Sequence, residues 1–99
     1  MEGVTSHPMI TYSLLESLHN EEFRHLYVSA QIRELIAAQI RAMREARGWS
    51  QDDLGEKAGM AQGRVSKLED PDYSGLTLKT LKRIGEALDV ALLVEYVPF

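Results

Sequence analysis

The chain has 99 residues, 44% of them hydrophobic, and a formal net charge of −4 at pH 7. This length suits one compact domain with a single core. The absence of cysteine excludes disulfides and cysteine-based zinc sites. No apolar run approaches the ~20 residues that span a bilayer, and the opening sequence MEGVTSHPM lacks the basic and apolar regions of a signal peptide. We therefore expect a cytoplasmic protein without membrane contact.

The charge is unevenly distributed along the chain. Residues 1–31 carry four Glu and one Arg, a net −3, and residues 68–99 carry six acids and three bases, again −3. Between them, residues 32–67 carry seven bases and five acids, a net +2. A local basic segment can bind nucleic acid in an acidic protein, because overall charge governs mainly solubility and long-range steering. The acidic flanks predict weak non-specific affinity, so a specific complex should need two copies of the domain.

The first 28 residues are predicted to form an arm and a helical extension. Residues 1–11 show no helical period and are expected to be irregular. Thr11 or Ser13 could cap a short helix near residues 14–18.

Longer helices are predicted on either side of a central pair of short ones. The first covers residues 21–46, because Asn20 is a good N-cap, two glutamates follow it, and apolar residues recur at spacings of three and four. Gly48 ends this helix. Thr77 caps the last helix, whose apolar residues are spaced three, three and four: Leu78, Leu81, Ile84 and Leu88.

Two short helices joined by a tight turn are predicted over residues 50–69. Ser50 and Asp53 resemble a capping box at the start of the first helix. Gly59 suits the left-handed conformation that ends it. The second helix covers about 62–69. This layout is the unit that places one helix in a DNA groove.

The chain closes with a β-branched and aromatic segment, residues 90–97, which we predict to be a strand. One strand cannot satisfy its own backbone groups, so its simplest partner is the same segment of a second copy about a two-fold axis. Leu92, Val94 and Tyr96 would then form the dimer contact. The alternative is an extended tail packed on the chain's own helices.

The helix at 62–69 has a polar outer face. At 100° per residue, Val65 and Leu68 point to one side, and the opposite side holds Gln62, Gly63, Ser66 and Lys67. Glutamine can pair with adenine, lysine can donate to guanine, and serine can contact base or phosphate. Arg64, on the flank, is better placed for a phosphate. An ordinary solvated helix face is the alternative, but the preceding turn and helix favour DNA reading.

The segment from about 40 to 90 resembles the Cro and phage-repressor helix-turn-helix family, also called the XRE family of bacterial regulators. The resemblance rests on the following segments, in chain order: Ile40–Gln51 as the first helix and entry to the second, Leu54–Met60 as the second helix and turn, Gln62–Glu69 as the recognition helix, and Thr77–Val90 as the fourth helix. It implies a mainly α, lambda-repressor-like helix-turn-helix bundle. We extend this with a long first helix and a C-terminal β-strand, giving a DNA-binding domain over 29–90 and a dimer strand over 91–99.

The resemblance also implies roles for individual residues. Gln51 would contact a phosphate and brace Gln62. Base edges would be read from Gln62, Gly63 and Lys67, with Ser66 beside them.

Two further residues match a salt bridge of the resembled family, and three other residues differ from those that are usual at their positions. Arg44 and Glu69 match residues that commonly form a partly buried salt bridge. Ala61 replaces the usual Ser or Thr cap of the recognition helix. Gly63 stands where a reading side chain is usual, and Gly55 replaces an alanine of the second helix.

No metal site, cofactor or enzymatic activity is predicted. His19 and His25 are six residues apart, off one helix face, and with His7 they complete the histidines of the chain. We read all three as surface residues. The sequence has no glycine-rich phosphate loop or nucleophile motif. Trp49 is expected to staple the corner before a helix cap rather than to stack on a base.

The predicted function is a homodimeric transcriptional regulator, a repressor in its simplest form, bound to double-stranded DNA at a palindromic operator. The alternative is an antitoxin, because small regulators of the resembled family often bind a toxin protein and repress their own operon. Apolar residues before position 30 exceed what the DNA-binding core needs: Leu14, Leu15, Leu18, Phe23, Leu26 and Tyr27. They would either bind such a partner or enlarge the core or dimer contact.

Overall fold

The structure, a computed structural model, describes residues 16–99. Four α-helices lie wholly within this range: α1 (Glu21–Ala46), α2 (Gln51–Ala58), α3 (Gln62–Leu68) and α4 (Leu78–Leu88). The mainly helical fold is therefore as predicted. The predicted arm over 1–11 and His7 lie outside the described residues, as do residues 14 and 15 of the short helix predicted near 14–18. No helix in residues 16–99 is long and apolar enough to cross a membrane.

The chain divides into two compact units, one ending at Ile32 and the other covering Arg33–Phe99. In the first unit, the rings of Phe23 and Tyr27 stack with centroids 6.2 Å apart, and Phe23 and Leu26 stay 39% and 64% exposed. The second unit contains the helix-turn-helix and the core.

Helix α1 has the predicted bounds because both of its ends are fixed locally. The side-chain oxygen of Asn20 accepts a hydrogen bond from the Phe23 backbone N–H at 2.9 Å, which satisfies one free donor of the first turn. At the other end, Gly48 has a φ of +70°, so the chain leaves the helix through a left-handed residue.

Helix α2 begins at the predicted capping box. The Ser50 hydroxyl accepts from the Asp53 N–H at 3.0 Å, and the Asp53 carboxylate accepts from the Ser50 N–H at 2.8 Å. Gly59, with a φ of +67°, ends the helix as predicted. These two ends set the short length of α2 and so the position of the turn that follows it.

The capping box predicts a pH-dependent stability. Hydrogen bonds from the backbone and hydroxyl of Ser50 hold the pKa of Asp53 below its ordinary value of 3.8. A carboxyl group with a lowered pKa stabilises the folded state above the ordinary pKa, and this stabilisation is lost as pH falls through the lowered value. Urea titrations should therefore find Asp53→Ala less stable than the wild type at pH 7, with the difference closing in acid.

The matched control is Asp52→Ala, which removes another first-turn acid of α2 but leaves the capping box intact. It should cost less stability than Asp53→Ala at pH 7. A difference between wild type and Asp53→Ala that stays constant down to pH 2 would contradict this assignment.

The core of the second unit lies where α1, α2, α3 and α4 meet. Its buried side chains are Ile40, Leu54, Ala58, Val65, Leu68, Ile84 and Leu88. Val65 and Leu68 supply the contribution of α3, and both are at most 2% exposed. Because these two side chains point inward, the opposite face of α3 is held outward.

The prediction of a C-terminal strand over 90–97 is wrong for the described chain. Residues 90–99 have no regular secondary structure, and no strand occurs anywhere in residues 16–99. β-Branched and aromatic residues favour strands only where a neighbouring strand offers backbone partners, and no such segment lies beside this one. Instead Val90, Ala91 and Leu92 line a small apolar cavity with residues of α1 and α4. Of these three residues Leu92 is half-buried, while Val90 and Ala91 are exposed, so the alternative of a tail packed on its own helices stays a prediction.

Candidate nucleic-acid interface

The outward face of α3 is polar and contains no acid. All the predicted reading positions on α3 are exposed, and they are Gln62, Gly63, Ser66 and Lys67. Arg64 on the flank is exposed as well, while Val65 and Leu68 are buried. The helix therefore offers amide, hydroxyl and ammonium groups that suit base edges and phosphates.

The turn between α2 and α3 depends on a close backbone approach at Gly55. The Met60 N–H donates to the Gly55 carbonyl at 2.8 Å. A Cβ atom at Gly55 would lie 2.6 Å from the Met60 carbonyl oxygen, well inside contact distance. Gly55 departs from the family's usual alanine, and here it is the residue that lets the turn pack against α2. A glycine inside a short helix, just before a predicted turn, is the sequence signal for such an approach.

The first turn of α3 is sparsely supported. Ala61 makes no side-chain cap hydrogen bond. A Cβ added at Gly63 would meet no described atom within 4 Å other than its chain neighbours and the backbone of its own helix. Both features weaken the helix. A glycine inside a helix costs about 1 kcal/mol relative to alanine. The surface beside Gly63 is open.

A bidentate ion pair joins α1 to the end of α3. Arg44 Nε donates to Glu69 Oε2 at 2.7 Å, and Arg44 Nη2 donates to Glu69 Oε1 at 2.9 Å. The two side chains are only 11% and 4% exposed. A third donor, Arg44 Nη1, bonds the Trp49 carbonyl at 2.7 Å. The hydrogen bond with Glu69 raises the pKa of Arg44 above its ordinary value, at which the guanidinium is already charged.

Two glutamines continue from this ion pair to the exposed face of α3. Gln51 Nε2 donates to Glu69 Oε1 at 3.3 Å. Gln62 Nε2 in turn donates to Gln51 Oε1 at 2.6 Å. Gln51 is half-buried and Gln62 is exposed. The first side chain of the predicted reading face is thus held by the helix that precedes the turn.

Arg64 has a partner that the sequence did not indicate. Its Nη2 donates to the Thr80 hydroxyl at 2.8 Å, and that hydroxyl also accepts from Thr77 at 2.9 Å. Thr80 is 3% exposed. Arg64 is therefore fixed on the flank of α3 beside the start of α4, with its remaining guanidinium N–H groups available to a phosphate.

Two other basic residues outside α3 have structural partners. Arg83 donates to the carbonyl oxygens of Ala58 and Gly59, which ties α4 to the turn after α2. Lys57 Nζ lies 4.7 Å from the ring centroid of Trp49, and Trp49 packs against the core. Trp49 thus fills the corner before α2. The Arg83 contacts join residues 24 and 25 positions apart, so no local sequence pattern predicts them.

The predicted dimer-contact residues belong to the C-terminal tail. Val94 and Tyr96 are 69% and 105% exposed on the C-terminal tail, and Leu92 is half-buried. His19 and His25 are exposed. Within residues 16–99, no group of three or more His, Cys, Asp or Glu side chains is placed to hold a metal ion.

The sequence of the chain matches a known protein family, and its fold matches a solved structure. The sequence model of a helix-turn-helix family matches residues 40–94, more than half of the chain. A chain of the solved structure described as "Structure of HipA-HipB-O2-O3 complex" shares the fold, with a TM-score of 0.57 and 24% identity over 67% of this chain and 92% of that chain. No curated protein matches. The predicted family resemblance is confirmed, and the protein belongs to the XRE-type helix-turn-helix family of DNA-binding regulators.

Proposed function

We propose that the protein is a sequence-specific transcriptional regulator that places α3 in the major groove of DNA. The observation that carries the proposal is the exposed, acid-free face of α3, on which Gln62 is held by Gln51. The segment that contains α3 with the preceding helix and turn, residues 40–94, matches a helix-turn-helix family. Such a protein acts by binding alone, in the cytoplasm where bacterial DNA lies.

The proposed roles follow from the chemistry of each side chain. Gln62 pairs with adenine and Lys67 donates to guanine acceptors, with Ser66 contacting a neighbouring base or phosphate. Gly63 lets the backbone approach the groove. Arg64, on the flank of α3, and Gln51, at the start of α2, bind phosphates and set the register of α3.

The experiment that tests this function is selection of DNA fragments by the purified protein from a random pool. We expect an enriched inverted repeat with half-sites about 10 base pairs apart, one helical turn. Binding to the enriched sequence should weaken steeply with salt, because phosphate contacts release counterions. Recovery of no common sequence after repeated rounds would contradict the proposed function.

The regulator is proposed to act as a homodimeric repressor on a palindromic operator. The net charge of −4 disfavours tight binding by one domain, so two recognition helices are needed. The exposed apolar tail is the proposed dimer contact, through Leu92, Val94 and Tyr96. Burying Val94, Tyr96 and the exposed part of Leu92 against a second copy would remove apolar surface that is otherwise left in water.

A chain cut after Val90 tests the dimer contact. Sedimentation should find the full chain dimeric and the shortened chain monomeric, because the shortened chain lacks all three side chains of the proposed contact. Circular dichroism should report unchanged helix content, since α1 to α4 end at Leu88. A shortened chain that stays fully dimeric would rule out the tail as the main contact.

An antitoxin is the second candidate function. It is favoured by the likeness in fold to a chain from a complex named for HipA and HipB, and by the exposed Phe23 and Leu26 in the first unit. A protein partner could cover these side chains. Co-expression with the product of a neighbouring gene should then yield a stable complex that Leu26→Glu disrupts, whereas a complex unaffected by that change would assign the contact elsewhere.

A further inference from the structure

We propose that Glu69, which is buried away from the reading face, is a positioning residue that makes Gln62 select adenine. The inference rests on the proposed function, in which Gln62 reads a base. Its basis is an uninterrupted chain of hydrogen bonds from Arg44 through Glu69 and Gln51 to Gln62. Each member of this chain leaves the next one a single orientation.

The first step is the fixed chemistry of the ion pair. Arg44 is always a donor, and an ionised Glu69 is always an acceptor. Both carboxylate oxygens of Glu69 receive guanidinium N–H groups at 2.7 and 2.9 Å. With its side chain 4% exposed, Glu69 is a fixed, acceptor-only group at the base of the reading face.

The second step is the orientation of the Gln51 amide. Its Nε2 faces Glu69 Oε1 at 3.3 Å. The flipped amide would place a carbonyl oxygen against a carboxylate oxygen, and two acceptors facing each other repel. Glu69 therefore directs the Gln51 oxygen toward α3.

The third step is the orientation of Gln62. Because the Gln51 oxygen faces it, Gln62 must donate from Nε2, and it does so at 2.6 Å. Gln62 is left with one free N–H and its carbonyl oxygen. Adenine presents an amine donor and the N7 acceptor in the major groove, which match this pair. Guanine presents two acceptors there, so the oxygen of Gln62 would oppose one of them.

The test measures base discrimination on the half-site obtained by selection. Each base pair is varied in turn, and the pair whose preference disappears in Gln62→Ala is the one that Gln62 reads. We expect the wild type to favour A·T there by about 5- to 150-fold, the range for one bidentate contact. In Glu69→Gln, a donor replaces an acceptor, so Gln51 can flip and the preference should fall to about twofold or less.

Gln51→Leu cuts the chain of hydrogen bonds without touching the ion pair, and it guards against a Glu69→Gln protein that fails to fold. It should lose the same preference while circular dichroism stays unchanged. The matched control Arg64→Ala removes a proposed phosphate contact, so it should weaken binding to every sequence and keep the preference.

Three results would overturn the inference, and they are distinguishable. A wild-type preference that persists in Gln51→Leu and in folded Glu69→Gln would contradict the role of Glu69 and leave the proposed function standing. A Gln62→Ala protein that keeps every base preference would overturn the reading role of Gln62 and the inference with it. A Gln62-dependent preference for G·C would leave Gln62 as a reading residue but overturn its selection of adenine, and with it the inference.

Discussion

Arg44→Ala is expected to lower the free energy of unfolding by about 3–5 kcal/mol, the usual cost of leaving one partner of a buried pair uncompensated. The variant removes both guanidinium bonds to Glu69, whose side chain is 4% exposed. It also strips the Trp49 carbonyl of its donor. Because small domains have only about 5–15 kcal/mol of stability, this loss is a large fraction of the total. Urea denaturation followed by circular dichroism measures the loss.

The double variant Arg44→Met with Glu69→Leu is the control for this prediction. It replaces both charges with apolar groups of similar size, so it should recover most of the lost stability. If Glu69 orients Gln62 as proposed, the double variant should be stable but lack the preference for adenine. A loss below about 1 kcal/mol in Arg44→Ala, the value typical of exposed pairs, would show that the ion pair does not stabilise the fold as described.

Gly55→Ala is expected to destabilise the protein by about 1–3 kcal/mol, the range for overpacking a tight site. Alanine is the better helix former by about 1 kcal/mol, so propensity alone predicts the opposite sign. The added Cβ would lie 2.6 Å from the Met60 carbonyl oxygen, a backbone atom that can move only with the turn itself. Displacing this turn should also lower affinity for the selected DNA, because it carries α3.

Gly63→Ala makes the same change in the next helix and serves as the matched control. Apart from its chain neighbours and the backbone of its own helix, no described atom lies within 4 Å of the added Cβ, so only the gain in helix propensity remains. We expect an increase in stability of up to about 1 kcal/mol. Urea midpoints that move in the same direction for both variants would refute the close approach at Gly55.

Most of the helical framework could be predicted because its signals are local. Asn20, Ser50 with Asp53, and Gly59 each act within four residues of their own position, and the structure places helix ends at all of them. The side of α3 that faces inward could also be predicted, since Val65 and Leu68 follow a single helical period. For these features, the residues that form the sequence pattern are the same residues that form the stabilising contacts.

The features that escaped prediction depend on residues far apart in the chain. Arg64 meets Thr80 sixteen residues later, and Arg83 reaches back 24 and 25 residues to two carbonyl oxygens. Residue type alone predicts a strand in the C-terminal segment, yet a strand also needs a partner. Gly55 departs from a family pattern in the sequence, but its role follows from the backbone atom that it faces.

The reading face of α3 is sparse, and its rigidity is therefore important. Gly63 contributes no side chain, and Ala61 provides no cap, so little within α3 holds its first turn. Hydrogen bonds to other helices hold the side chains of α3 instead. Gln62 donates to Gln51 of α2, and Arg64 donates to Thr80 of α4. The reading residues are in this way positioned by their neighbours in the fold.

The most direct measurement is the affinity ratio between the selected operator and an unrelated DNA of equal length, for the wild type and for Gln62→Ala with Lys67→Ala. Both side chains are exposed, so circular dichroism should find the double variant folded. In gel-shift titrations at one salt concentration, we predict that the wild type prefers its operator by at least about 10³-fold, and that the double variant binds both DNAs with similar, weak affinity. An operator affinity unchanged by the double substitution would contradict DNA reading by α3.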